Sequence, residues 1–222
     1  MLRNLFWMVF SSAVRLGSGL VLFVLIARHL GPEEFGHYMF WYGLTLLFAT
    51  LAGFGLGNML LKEIAQHPET AAHTLGEALS LRLTLAVAVL CVALIAAFFV
   101  DRPELLLLLL FANLVEIIAE TFYVAYRAIG HYRGEAHVAT AAAFLQLLLV
   151  VIAVLAYQKT GFIALVFLAG KVLQLVLILA AARHVFGKFR LASPRTGLRL
   201  AQRTKAYAAD MLMGSAFGNI DS

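Results

Sequence analysis

The chain has 222 residues, 63% of them hydrophobic and 13% charged, and its mean hydropathy is +0.91. No soluble domain carries so apolar a composition, so the protein belongs in a membrane. The formal charge of +5 then reads as basic loops facing anionic lipid, which excludes nucleic acid as the partner it serves.

A bilayer crossing takes about 20 mostly apolar residues. Six segments qualify: residues 6–27, 38–61, 83–100, 105–126, 138–157 and 162–182. All are expected to be helices, since the alternating pattern of barrel strands is missing. The first follows Arg3 as a signal peptide would, yet it is too long, holds Arg15 and lacks a small-x-small exit, so it reads as a retained span. Between the first two spans, Gly31 can end a helix, Pro32 suits the first turn of the next, and Glu33 and Glu34 complement that helix's dipole. The second span contains Gly53, Gly55 and Gly57. Their spacing permits close helix approach and fails as a dinucleotide-binding pattern, because no strand precedes it. Asn58 follows as a candidate for bonding across helices.

Cys91, in the third span, is the single cysteine, so no intramolecular disulfide forms. The turns Asp101-Arg102-Pro103-Glu104 and Lys159-Thr160-Gly161 are short, which makes consecutive spans antiparallel neighbours. Trp7, Trp41, Tyr42 and Tyr157 lie near span ends and suit interfacial anchoring. Beyond the sixth span, residues 183–206 are basic. Arg195, Arg199 and Arg203 recur every four residues, as a short cationic helix on the inner leaflet or a solvated linker would have them. Residues 207–222 begin an apolar run that stops short of a crossing, and read as a seventh helix cut off.

With the N-terminus cytoplasmic, the inner side collects Arg3, Lys62, Arg82, Arg127, Arg133 and the seven basic residues of 183–206, against Arg28, Arg102 and Lys159 outside. The positive-inside bias therefore places the N-terminus in the cytoplasm.

Function is sought in the charges that remain inside the spans. Arg15, Glu116 and Lys171 each fall near the middle of a span, where an ionisable group costs about 2.5–3.5 kcal/mol and marks a transport path, relay or counter-charge. Asn113, Glu116, Glu120, Tyr123 and Arg127 repeat at spacings of three and four, so they share one side of a helix. Ser11, Arg15 and Ser18 form a weaker stripe, and Gln174 follows Lys171 by three. These faces are expected to line one cavity, with Arg15, Lys171, Asn113 and Gln174 as substrate contacts. Static interhelical pairing is the alternative. Glu116 and Glu120 are too close to ionise together easily, which makes them candidates for a coupling proton or sodium ion or for charge balance, along with Asp221. The histidines show no metal-ligand spacing, and no nucleophile elbow, phosphate loop or zinc motif is present, so neither a metal, a cofactor nor an enzyme is expected.

The hairpin Ala27-Arg28-His29-Leu30-Gly31-Pro32-Glu33-Glu34-Phe35-Gly36-His37-Tyr38 closely resembles the opening of polysaccharide-biosynthesis flippases, within the multidrug, oligosaccharidyl-lipid and polysaccharide exporter superfamily. The resemblance continues through Gly53-Phe54-Gly55-Leu56, Lys62-Glu63-Ile64 and Ile220-Asp221. It implies two six-helix lobes related by a pseudo-two-fold axis, around a cavity that opens alternately to each side. It further implies a glycan on a polyprenyl diphosphate as substrate and the bacterial inner membrane as location. Such a carrier would be met by Arg15 and Lys171. The expected architecture is all-α: a six-helix transmembrane lobe over 1–182, a cytoplasmic linker over 183–206, and the start of a seventh helix over 207–222. Partners would be the lipid-linked oligosaccharide, anionic membrane lipids and other glycan-assembly proteins. A cation-coupled multidrug exporter of the same superfamily and a non-transporting membrane scaffold are the alternatives.

Overall fold

A computed structural model describes residues 2–53, 55–156, 159–187 and 191–192. Phe54, Tyr157, most of the basic stretch with Arg195, Arg199 and Arg203, and all of 207–222 with Asp221 lie outside the described residues. Those described are helical: α1 (Leu2–Gly53), α2 (Leu56–Gln66), α3 (Ala71–Ala96), α4 (Pro103–Ala128), α5 (Tyr132–Ala156) and α6 (Thr160–Phe186), with single 3-10 turns at Pro68–Thr70 and Ala97–Phe99.

The first element is not one rod. Gly31 sits at φ 76°, ψ 172°, a conformation essentially reserved for glycine. Phe23 and Tyr42, nineteen residues apart, would be separated by about 28 Å along a straight helix. Their rings lie 5.4 Å apart. The chain therefore doubles back at Gly31, and Pro32 opens the return arm, as the hairpin sequence predicts. Replacing Gly31 with alanine should destabilise the protein by about 1–3 kcal/mol. Asparagine should not restore it, because ψ 172° is far from the left-handed helical region that asparagine tolerates. Thermal melting in detergent checks this; wild-type stability in Gly31→Asn would refute it.

Five helices are long and apolar enough to cross a membrane, the first candidate running from Phe6 through α2 to Gln66. Two boundaries differ from the sequence reading. The apolar run predicted over 38–61 is broken at Gly53–Gly55, where Gly55 takes φ 64°. The third helix begins at Ala71, not near residue 83, because its first turns are built of small and mixed residues that a hydropathy window undercounts. Arg82 is consequently an in-helix residue and only 5% exposed. The loop asymmetry in basic residues survives its removal.

α4 is the most enclosed helix, packed by α1, α2, α3, α5 and α6. Three apolar clusters pack the bundle: one joins Ala49, Ala52 and Ala93 to Leu110 and Leu114, and the other two divide it lengthwise. One contains Leu105–Ala112 of α4 with Leu22, Tyr38, Val150 and Phe167. The other contains Ala119–Tyr126 of α4 with Leu60, Leu75, Ala139 and Ile178. Glu116 falls between them on α4, as do Gln146 on α5 and Lys171 on α6. These three polar side chains thus share one level between the two clusters.

At the Gly31 end, three connections are tied by one carboxylate. Arg102 Nη1 and Nη2 donate to Glu34 Oε2 and Oε1 at 2.7 and 2.8 Å, and Thr160 Oγ1 donates to Oε2 at 2.6 Å. These bonds hold the Glu34 carboxyl well below the usual carboxylate range, at about 2. The hairpin turn, the start of α4 and the start of α6 are fastened there by a bidentate pair.

Candidate binding cavity

The polar layer opens into a cavity of about 210 Å³ between α1, α4, α5 and α6. Arg15, Glu116, Lys171 and Gln174 all line it, together with Ser18, Tyr42 and Gln146. Four of the residues singled out from sequence, on three separate spans, are therefore brought together. Lys171 Nζ lies 2.9 Å from Glu116 Oε2, and Gln174 Nε2 donates to Glu116 Oε1 at 3.4 Å. Lys171 also stands 5.4 Å from the centre of the Phe167 ring, a favourable setting for a cation.

Arg15 reaches from α1 to two other helices. Its Nη1 is 3.4 Å from Glu120 Oε2 on α4, and its Nη2 is 3.3 Å from Glu135 Oε1 on α5. The guanidinium rests over the Tyr123 ring at 5.4 Å. Arg127 completes a four-membered box: it pairs with Glu120 through Nη2 and approaches Glu135 Oε1 at 3.4 Å through Nε. Two guanidiniums and two carboxylates thereby join α1, α4 and α5 beside the cavity. Glu120, a candidate for coupling or charge balance from sequence, is shared between Arg15 and Arg127.

Asn113 is not among the residues that line the cavity. It is buried, and its Nδ2 donates to Thr45 Oγ1 at 3.0 Å, tying α4 to the return arm of α1. The cavity is kept close on one side by Gly170, where an added Cβ would sit 2.8 Å from the Gln146 amide carbon. That amide donates to the Phe167 carbonyl at 3.2 Å, so it is held rather than free to swing aside.

The family model described as polysaccharide biosynthesis protein matches residues 1–221. The chain belongs to that family. No curated protein and no solved structure matches it. Membership and the membrane-spanning helices together identify a multi-pass membrane protein of polysaccharide biosynthesis, in agreement with the resemblance carried by the Gly31 hairpin.

Within this member of the family, sequence reasoning missed Glu135 and Arg82. Glu135 is 1% exposed and precedes the apolar run of its helix, so a hydropathy window assigns it to a loop. A helix start at Tyr132 would have shown it facing inward. Arg82 is hidden by the same boundary effect. Gln146 carried a signal, as the one amide within an alanine- and leucine-rich span.

Proposed function

We propose that this protein is a flippase lobe that moves a polyprenyl-diphosphate-linked oligosaccharide across the bacterial inner membrane by alternating access. The observation that carries this reading is the charge on the cavity wall. Arg15 and Lys171 line it with the one lining carboxylate, Glu116, while the carboxylates that hold Arg15, Glu120 and Glu135, are not among the lining residues, so two cations face the space beside the amides of Gln146 and Gln174. A space of about 210 Å³ suits a diphosphate, while the glycan would extend into the larger path between lobes. The fold-back at Gly31 gives the first element two crossings, so the lobe has six, with the N-terminus in the cytoplasm by the loop charges.

Arg15 and Lys171 hold carboxylates in the ligand-free chain. An arriving diphosphate would exchange with Glu120, Glu135 and Glu116 for these cations, and a proton or sodium ion could accompany the released carboxylates, which is the coupling role assigned to Glu116 and Glu120. Both acidic residues are occupied by cations, which disfavours a binding site for cationic drugs. Complementation separates the two. In a strain lacking the protein, wild type should restore surface polysaccharide and Arg15→Gln with Lys171→Gln should not, at equal membrane levels. Restored drug resistance without restored polysaccharide would overturn the proposal.

A further inference from the structure

A second cavity of about 210 Å³ lies between α2, α3 and α4. Its lining includes Gly57, Asn58 and Leu61 of α2, Arg82 of α3, and Glu120 and Arg127 of α4. No residue of α5 or α6 contributes, and none of its lining residues lines the cavity described above. The carboxylate of Glu120 forms part of the wall, with one oxygen toward Arg15 and the other toward Arg127.

Arg82 is the unusual member. Its side chain is 95% buried, being 5% exposed, yet among the described residues no carboxylate lies within ion-pair distance of it. Its Nη1 donates to the Ile117 carbonyl and, at 2.8 Å, to Thr121 Oγ1, both on α4. Those bonds fix the guanidinium, while its Nε is buried with no hydrogen-bond partner. A buried charged donor left unmade is expensive, and such groups point to a missing acceptor. The nearest carboxylate on the wall, Glu120, is already shared by two other arginines. Two guanidiniums against this one shared carboxylate leave the cavity positive, and the exposed Asn58 supplies further donors at its edge.

We propose that this second cavity is an anion site that takes a phosphate group, held by Arg82 and Arg127 and separate from the transport cavity. Arginine is suited to this, since its fork of donors matches phosphate oxygens. The phosphate could come from the headgroup of an anionic phospholipid or from free phosphate in solution. Because Arg127 also pairs with Glu120, and Glu120 with Arg15, occupancy here would alter how firmly Arg15 is held at the first cavity.

Thermal unfolding of the purified protein in detergent tests the site without requiring transport. Phosphatidylglycerol should raise the midpoint relative to phosphatidylcholine by about 5 °C at saturation. An equal rise with inorganic phosphate alone would assign the site to free phosphate; a rise with the lipid only would assign it to a headgroup. Arg82→Gln should lose the rise. Should that variant fail to fold, Gly57→Leu decides: a Cβ at Gly57 meets only Val124 Cγ2, at 4.0 Å, so a leucine can start into the cavity that Gly57 lines and take up its space. Gly57→Leu should also abolish the rise. A rise that persists in Gly57→Leu, or wild type that responds to neither probe, would overturn the proposal.

Discussion

Export of polysaccharide is expected to fall by about 10- to 100-fold when Lys171 becomes glutamine. A hydrogen bond to a charged group contributes about 1.5–3 kcal/mol, and each 1.4 kcal/mol is about tenfold in an equilibrium constant. Lys171 sits at the level of the polar layer, 2.9 Å from Glu116, and it is one of two cations on the cavity wall. Its loss would leave Glu116 without a counter-charge and Arg15, already paired with Glu120 and Glu135, as the remaining cation of the wall, so the attraction for a diphosphate would be lost. Glu116→Gln should act in the opposite sense on binding. It leaves Lys171 without its counter-charge in the cavity, so an anion is held more tightly and released more slowly. Export at saturating substrate should drop while the substrate concentration needed for half-maximal export also drops. Surface-polysaccharide assays at matched membrane levels measure the first effect, and a substrate titration in vesicles measures the second. Unchanged export in Lys171→Gln would remove this residue from the substrate site.

Glu135→Leu is expected to be the most destabilising substitution at the ion-pair box. Breaking a buried pair by removing one partner costs about 3–5 kcal/mol. The lower end applies, because Arg15 and Arg127 are each 28% exposed and keep Glu120 as a partner. With about 3 kcal/mol lost, the unfolding midpoint in detergent should fall by roughly 6–12 °C. Glu120→Gln should fall less, since that side chain is 35% exposed against 1% for Glu135. Equal losses for the two would mean that burial does not set the strength of the box.

The boundary between what the sequence disclosed and what it withheld follows from hydropathy itself. The Gly31 hairpin was legible because Gly31, Pro32 and the two glutamates each state a backbone requirement. The mid-level set of Arg15, Glu116, Lys171 and Gln174 was legible because charge inside an apolar run is conspicuous. Glu135 and Arg82 were not, although both are more deeply buried than any of those four. Each lies in the opening turns of a helix whose apolar run begins later, where a composition window sees a loop. Pairing was also withheld. Helical spacing put Asn113 on the same side as Glu116, but whether it meets a cavity or Thr45 depends on where the return arm of α1 packs. Likewise, spacing aligned Glu120 with Arg127, while the arrival of Arg15 from another helix is a tertiary event.

Transbilayer movement of a polyprenyl-diphosphate-linked oligosaccharide in proteoliposomes tests the central claim most directly, with wild type compared against the double variant Arg15→Gln, Lys171→Gln. Wild type should move it and the double variant should not, with both proteins folded by their thermal transitions. Movement at the wild-type rate in the double variant, or none by folded wild type, would contradict it.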